Sequence, residues 1–157
     1  MSNQATALVI AVDGTTWPVE TQPHIHDLED IYPLIGARRA EVLPVNPSLN
    51  RRPGPRLAAV LNGMALDFWY GRMSAYERPR NMAATVLAQA LGADNAVLHG
   101  PVVLQAGNPE TGDSLPLSAE ALTLLQNEVG VITSIPEIVD GITESITAFH
   151  ARGEDQS

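Results

Sequence analysis

The chain has 157 residues, 45% of them hydrophobic, and a formal net charge of −9, which suits a single globular domain with a real core. It contains no cysteine, and all nine basic residues are arginine; disulfides, thiol nucleophiles, cysteine-held zinc, Schiff-base lysines and the P-loop lysine are therefore excluded. No run approaches about eighteen apolar residues, and the opening apolar stretch lacks a basic flank, so neither a membrane span nor a signal peptide is expected and a cytoplasmic location fits.

Charge is unevenly spread: residues 1–37 carry −5, residues 38–80 carry +5 and residues 81–157 carry −9. "ATALVIAV" at 5–12 reads as a buried strand. "DGT" at 13–15 is a turn signal, and "TWPVE" at 16–20 returns as a short strand, which Pro18 confines to an edge. "HIHDLEDIY" at 24–32 has helical spacing, with acids near the positive end of the dipole and a stop before Pro33. "RRAEVLPV" at 38–45 alternates weakly as an edge strand. "NPSLNRRPGPR" at 46–56 reads as loop.

Asn62-Gly63 lies between two apolar arms, a hairpin signal because both residues tolerate positive φ. Residues 70–81 form a loop. Asn81 then caps a helix that stops at Gly92. Residues 95–107 read as a strand bent at Gly100-Pro101, and 108–114 as a polar connector. Ser118 caps a helix ending at Gly130. "SIPE" at 134–137 has capping-box spacing. Ile135, Ile138, Val139, Ile142, Ile146 and Phe149 then mark one stripe of a last helix, a core face or a homo-oligomer seam. The predicted fold is α+β: a mostly antiparallel sheet with helices on one face and a two-helix C-terminal appendage. Residues 1–107 form the core domain, and 108–157 a helical extension packed on it.

Between about 24 and 106 the chain resembles a small domain family of unknown function found in bacteriophages, plasmids and actinobacterial mobile elements. The resemblance rests on Ile35-Gly36-Ala37, Ala40-Glu41-Val42, Asn62-Gly63, Asn81, Ala84-Thr85 and Gly100-Pro101-Val102-Val103. Ala37 stands where the family pattern has a second glycine. The resemblance implies a mobile-element accessory protein in the cytoplasm of a bacterial host. It transfers no activity and no catalytic residue.

Candidate chemistry is sparse. His24 and His26, with Asp13 after the first strand, are the candidates for a small metal-dependent hydrolase; two histidines two apart share a metal on a strand but diverge on a helix. Trp69, Tyr70 and Tyr76 interleave with Arg72, Arg78 and Arg80, and Arg38, Arg39, Arg51, Arg52 and Arg56 precede them. Such a segment suits phosphate pairing with base stacking, and equally a protein interface, where Trp, Tyr and Arg dominate. No phosphate loop, nucleophile elbow or other cofactor motif is present. The principal expectation is a non-enzymatic accessory protein that binds a partner, a protein rather than a nucleic acid, through Arg38, Arg39, Arg51, Arg52, Trp69, Tyr70, Arg72, Tyr76, Arg78 and Arg80. The alternatives are the hydrolase and a nucleic-acid binder using 51–80.

Overall fold

A computed structural model describes residues 5–21, 32–35, 39–72 and 78–155. Its centre is the strand β5 (Val102–Gly107), every residue of which is buried. Three apolar branched residues open it, and these favour a pleated, covered surface. On one edge β5 pairs with β4 (Ala65–Gly71), which pairs in turn with β3 (Ala40–Val45). On the other edge it pairs with β1 (Ala5–Ile10) and then, further along, with the two-residue β6 (Ser114–Leu115). β2 (Thr16–Thr21) flanks β1, giving the order β2-β1-β5-β4-β3 with every pairing antiparallel. The expected α+β fold with a mostly antiparallel sheet is what the chain adopts. Pro18 sits on the β2 edge, where its missing N–H breaks no interior ladder.

Alternation along the strands divides the core in two. On one face, Leu8, Ile10, Leu66, Phe68, Val102, Leu104 and Ala106 meet α2 (Gly54–Leu61), α3 (Met82–Ala90) and α4 (Ala119–Thr133). Full burial of Phe68 alone contributes about 1.5–3 kcal/mol. The last helix, α5 (Pro136–Asp155), packs on α3 and α4. On the opposite face, the short α1 (Tyr32–Ile35) sets Ile35 against Ala7, Val9 and Val103.

Several boundaries differ from expectation. Asn62-Gly63 does not turn a hairpin. The preceding arm is helix α2, whose Leu57 and Leu61, four residues apart, are buried on one face. Asn62 is left-handed (φ 51), and its N–H closes on the Ala58 carbonyl. Pro53, Gly54 and Pro55 begin that helix rather than extending the loop, since a proline ring pre-sets φ for a first turn. Pro33 likewise lies within the first turn of α1 rather than beyond a helix end. The expected helix over 24–31 lies outside the described residues.

α4 runs through Gly130 to Thr133, with Ser118 capping it by accepting the Ala121 N–H. The 134–137 capping box does not form. Ser134 Oγ donates to the Val131 carbonyl at 2.7 Å, so this hydroxyl closes α4 instead of opening α5. Residues 95–101 are not strand: His99 makes a single bridge to Arg80, and the strand starts at Val102.

Candidate functional site

The arginine-rich segment is divided by the sheet. Arg39 and Arg72 sit at the end of the β3–β4 pair where the Arg72 N–H donates to the Arg39 carbonyl at 2.9 Å. Glu41 stands between them and the core. It accepts the Tyr70 hydroxyl at 3.2 Å and lies 3.5 Å from Arg72 Nε. Burial, reinforced by Glu41, pushes the Tyr70 phenol above its ordinary value. Arg78 and Arg80 are exposed beside His99 and Gly100. This is the same end of the sheet, because Trp69 is opposite Val103.

Arg51 and Arg52 lie in the loop after the other end of β3, a strand that spans about 17 Å at about 3.3 Å per residue. Trp69 and Tyr70 point to opposite faces: Trp69 packs against the Val9–Val103 cluster, Tyr70 against the helix-side core. The arginines and rings thus form two separate basic positions. Arg38, Tyr76, His24 and His26 lie outside the described residues.

Asp13 has a structural role that its neighbours explain. The Thr15 N–H and hydroxyl both donate to Asp13 Oδ1, at 3.0 and 2.7 Å. These bonds hold its carboxyl below the usual range, so it is charged at neutral pH. Among the described residues, no three acids or histidines are grouped to hold a metal ion.

Two concave surfaces lie among the described residues. The first is a groove of about 490 Å³ between the β1–β2 turn, the end of α4 and the length of α5, lined by Asp13, Thr133, Val139, Ile142, Thr143, Ile146 and Thr147. Ile142 is its buried floor, 7% exposed. Val139 on its lining is 44% exposed, and Val131 near the end of α4 and Ile135 in the link before α5 are 56% and 39% exposed. At about 100° per residue, Asp140, Glu144 and Glu137 fall on the adjoining outer face of α5, and all three are exposed. The groove is therefore apolar along α5, with one acid, Asp13, on its lining and three more on the adjoining helix face.

The second is a pocket of about 260 Å³ between the loop before α2 and the middle of α4, lined by Leu49, Asn50, Arg51, Arg52, Pro53, Pro55, Arg56, Leu124 and Glu128. It shares no lining residue with the groove.

Sequence reasoning did not connect Asp13 with α5, nor Glu128 with the arginine loop. The helical spacing of Val139, Ile142 and Ile146 is the signal the sequence carries for the groove's α5 wall. The pocket has no signal in the sequence, because Leu49–Arg56 and Leu124–Glu128 on its two walls are at least 68 positions apart in the chain. No family model, no curated protein and no solved structure matches this chain.

Proposed function

We propose that this protein is a non-enzymatic binding protein whose partner presents a basic, apolar-faced segment to the α5 groove. What supports this reading is the apolar lining of Val139, Ile142 and Ile146, with Asp13 on the same lining and the exposed Asp140 and Glu144 on the adjoining face of α5. Exposed aliphatic side chains in a row mark contact surfaces. These acids favour lysine or arginine flanking the apolar residues of the occupant. A helix with anchors at i, i+3, i+4 and i+7 has this pattern. A second copy of the chain fits less well, since it would bring Glu137, Asp140 and Glu144 towards like charges. The resemblance to mobile-element domains supplies the setting: an accessory protein that engages a host protein in the bacterial cytoplasm.

The test uses fluorescence anisotropy with a labelled synthetic amphipathic helix carrying leucines at the anchor positions and lysines beside them. Saturable binding is expected, weakened about tenfold or more by Asp140→Lys with Glu144→Lys, a change worth about 1.4 kcal/mol. An acidic-flanked version of the peptide should not bind. Equal binding of both peptides, or no effect of the charge reversals, would overturn the reading. Light scattering over a concentration series covers self-association: a dimer abolished by the Val139→Lys variant would assign the groove to a second copy instead.

A further inference from the structure

We propose a second, independent site: the pocket at the start of α2 binds a small phosphate monoester, with its phosphate on Arg52 and Arg56 and a compact ring on the apolar wall. The frame that carries the arginines is fixed. The Ser48 N–H donates to the Leu91 carbonyl at 2.9 Å, and the Gly54 N–H donates to the Arg51 carbonyl at 2.7 Å. A Cβ at Gly54 would lie 1.7 Å from the Ser48 carbonyl oxygen, so the loop is drawn tightly onto the helix start. Pro53 and Gly54 are buried beneath it.

The three guanidiniums differ in what they do. Arg51 is engaged: it pairs with Asp94 and donates to the Gln89 carbonyl. It tethers the loop to the end of α3. Arg52 and Arg56 line the same pocket, are exposed, and have no ion-pair partner among the described residues. Guanidinium groups bind phosphate in a forked geometry that an ammonium cannot reproduce. Pro53 and Pro55 at the start of α2 line the pocket, so the positive end of that helix dipole lies at its wall. The two guanidiniums supply most of the positive charge at the pocket, and the helix end adds to them.

The rest of the lining selects the body of the ligand. Leu49 is 71% exposed, the highest value of any large apolar residue described. With Pro53, Pro55 and Leu124 it makes an apolar wall. Glu128 is the one acid on the lining. It repels a second anionic group and accepts a hydrogen bond from a hydroxyl or amino group on the ring. A volume of about 260 Å³ admits a single ring with its phosphate, near the small end of ligand pockets.

The test is isothermal titration in 0.15 M salt, where attraction beyond about 8 Å is screened. The probes are phenyl phosphate, inorganic phosphate, phenol and a nucleoside monophosphate. Phenyl phosphate should bind saturably, about tenfold or more tighter than inorganic phosphate or phenol. The Arg52→Ala/Arg56→Ala variant should lose about tenfold or more while keeping the parent melting temperature. A mononucleotide that matches phenyl phosphate supports the site and identifies the ring with a base. A weaker mononucleotide, with phenyl phosphate retained, supports it for smaller rings. Phenyl phosphate no better than inorganic phosphate, or unaffected by the double variant, overturns the proposal. So does binding that appears only with an oligonucleotide, because attraction to a phosphate chain would then replace the pocket. None of these readouts involves the α5 groove, so either site can fail alone.

Discussion

Asn81 Nδ2 donates to the Ile10 carbonyl at 2.9 Å, joining the end of β1 to the start of α3 across 71 positions of chain. The same amide nitrogen donates to the Gly100 carbonyl at 2.9 Å, and Asn81 Oδ1 accepts the Ala84 N–H at 3.0 Å. One fully buried side chain thus caps a helix and satisfies two backbone acceptors, one at the end of β1 and one two residues before β5. A buried polar side chain is tolerated when its hydrogen-bonding capacity is met in this way.

Asn81→Ala should therefore cost more than a surface cap. Loss of the cap is worth about 1 kcal/mol, and two buried acceptors left unpaired cost about 1–3 kcal/mol each at most. A loss of about 2–4 kcal/mol is expected by urea denaturation. Asn81→Asp keeps the cap but turns a donor into an acceptor facing two carbonyls. It should be no better than alanine at neutral pH and should recover in part on acidification, when the carboxyl regains one O–H. Equal stability of the aspartate variant and the parent at pH 7 would contradict this account.

Gly107 and Asp67 form a second such relationship, on the face opposite the long helices. The two strands pair so that a Cβ at 107 would lie 2.1 Å from Asp67 Oδ2. Gly107→Ala should destabilise the protein by about 1–3 kcal/mol through overpacking. Asp67→Ser in the same chain should restore most of the loss, a coupling that a double-mutant cycle measures directly.

The Asp67 carboxyl also has a pH signature. Burial pushes it above its ordinary value, so the folded protein holds that proton more tightly than the unfolded chain does. Stability from this group is then greatest at low pH and falls as pH rises from about 4 through the raised value. Asp67→Asn should raise the melting temperature at pH 7, and the gain should shrink to nothing below about pH 4. A gain of the same size at every pH would mean that packing, not desolvation, is responsible.

Asn62 and Gly63 show how a correct local signal can support the wrong element. Both residues have positive φ, 51° and 87°. Positive φ serves a hairpin turn and a helix C-terminus equally well. What decided between them was Leu57 and Leu61 meeting α4 and the sheet, a tertiary fact. A Cβ at Gly63 meets nothing within 4 Å, so Gly63→Ala should cost only the backbone penalty of about 1 kcal/mol. A much larger loss would point to a contact at this turn.

Elements whose signal was local were legible in the sequence. The β1 run, the Pro18 edge strand and the Asn81 and Ser118 caps each depend on a few neighbouring residues. Ser134 is ambiguous in the sequence because two helices meet there: its hydroxyl can serve either, and it serves the earlier one. β6 is defined by pairing with Ala106 and Gly107, and two residues carry no periodicity. For the candidate site, the arginines were visible but their arrangement was not. Adjacent Trp69 and Tyr70 diverge by the pleat, and β3 separates Arg39 from Arg51. The groove needed Asp13 beside α5, more than a hundred positions away.

The α5 stripe gives the sharpest division between packing and surface. Ile142 and Val139 belong to the same apolar run, three residues apart, and the sequence assigns both to one face. Ile142 is 7% exposed, and its Cδ1 lies 3.5 Å from the position a Cβ on Gly14 would occupy, so it anchors α5 against the β1–β2 turn. Ile142→Ala should cost about 2–5 kcal/mol, towards the low end if α5 settles into the space. Val139 is 44% exposed, and Val139→Ser should change stability by no more than about 0.5 kcal/mol. The same serine should weaken the basic peptide's hold on the groove, because it removes apolar contact without disturbing the fold. A peptide affinity that follows Ile142 but ignores Val139 would mean that binding requires only an intact helix, and the trough would lose its claim to be the contact surface.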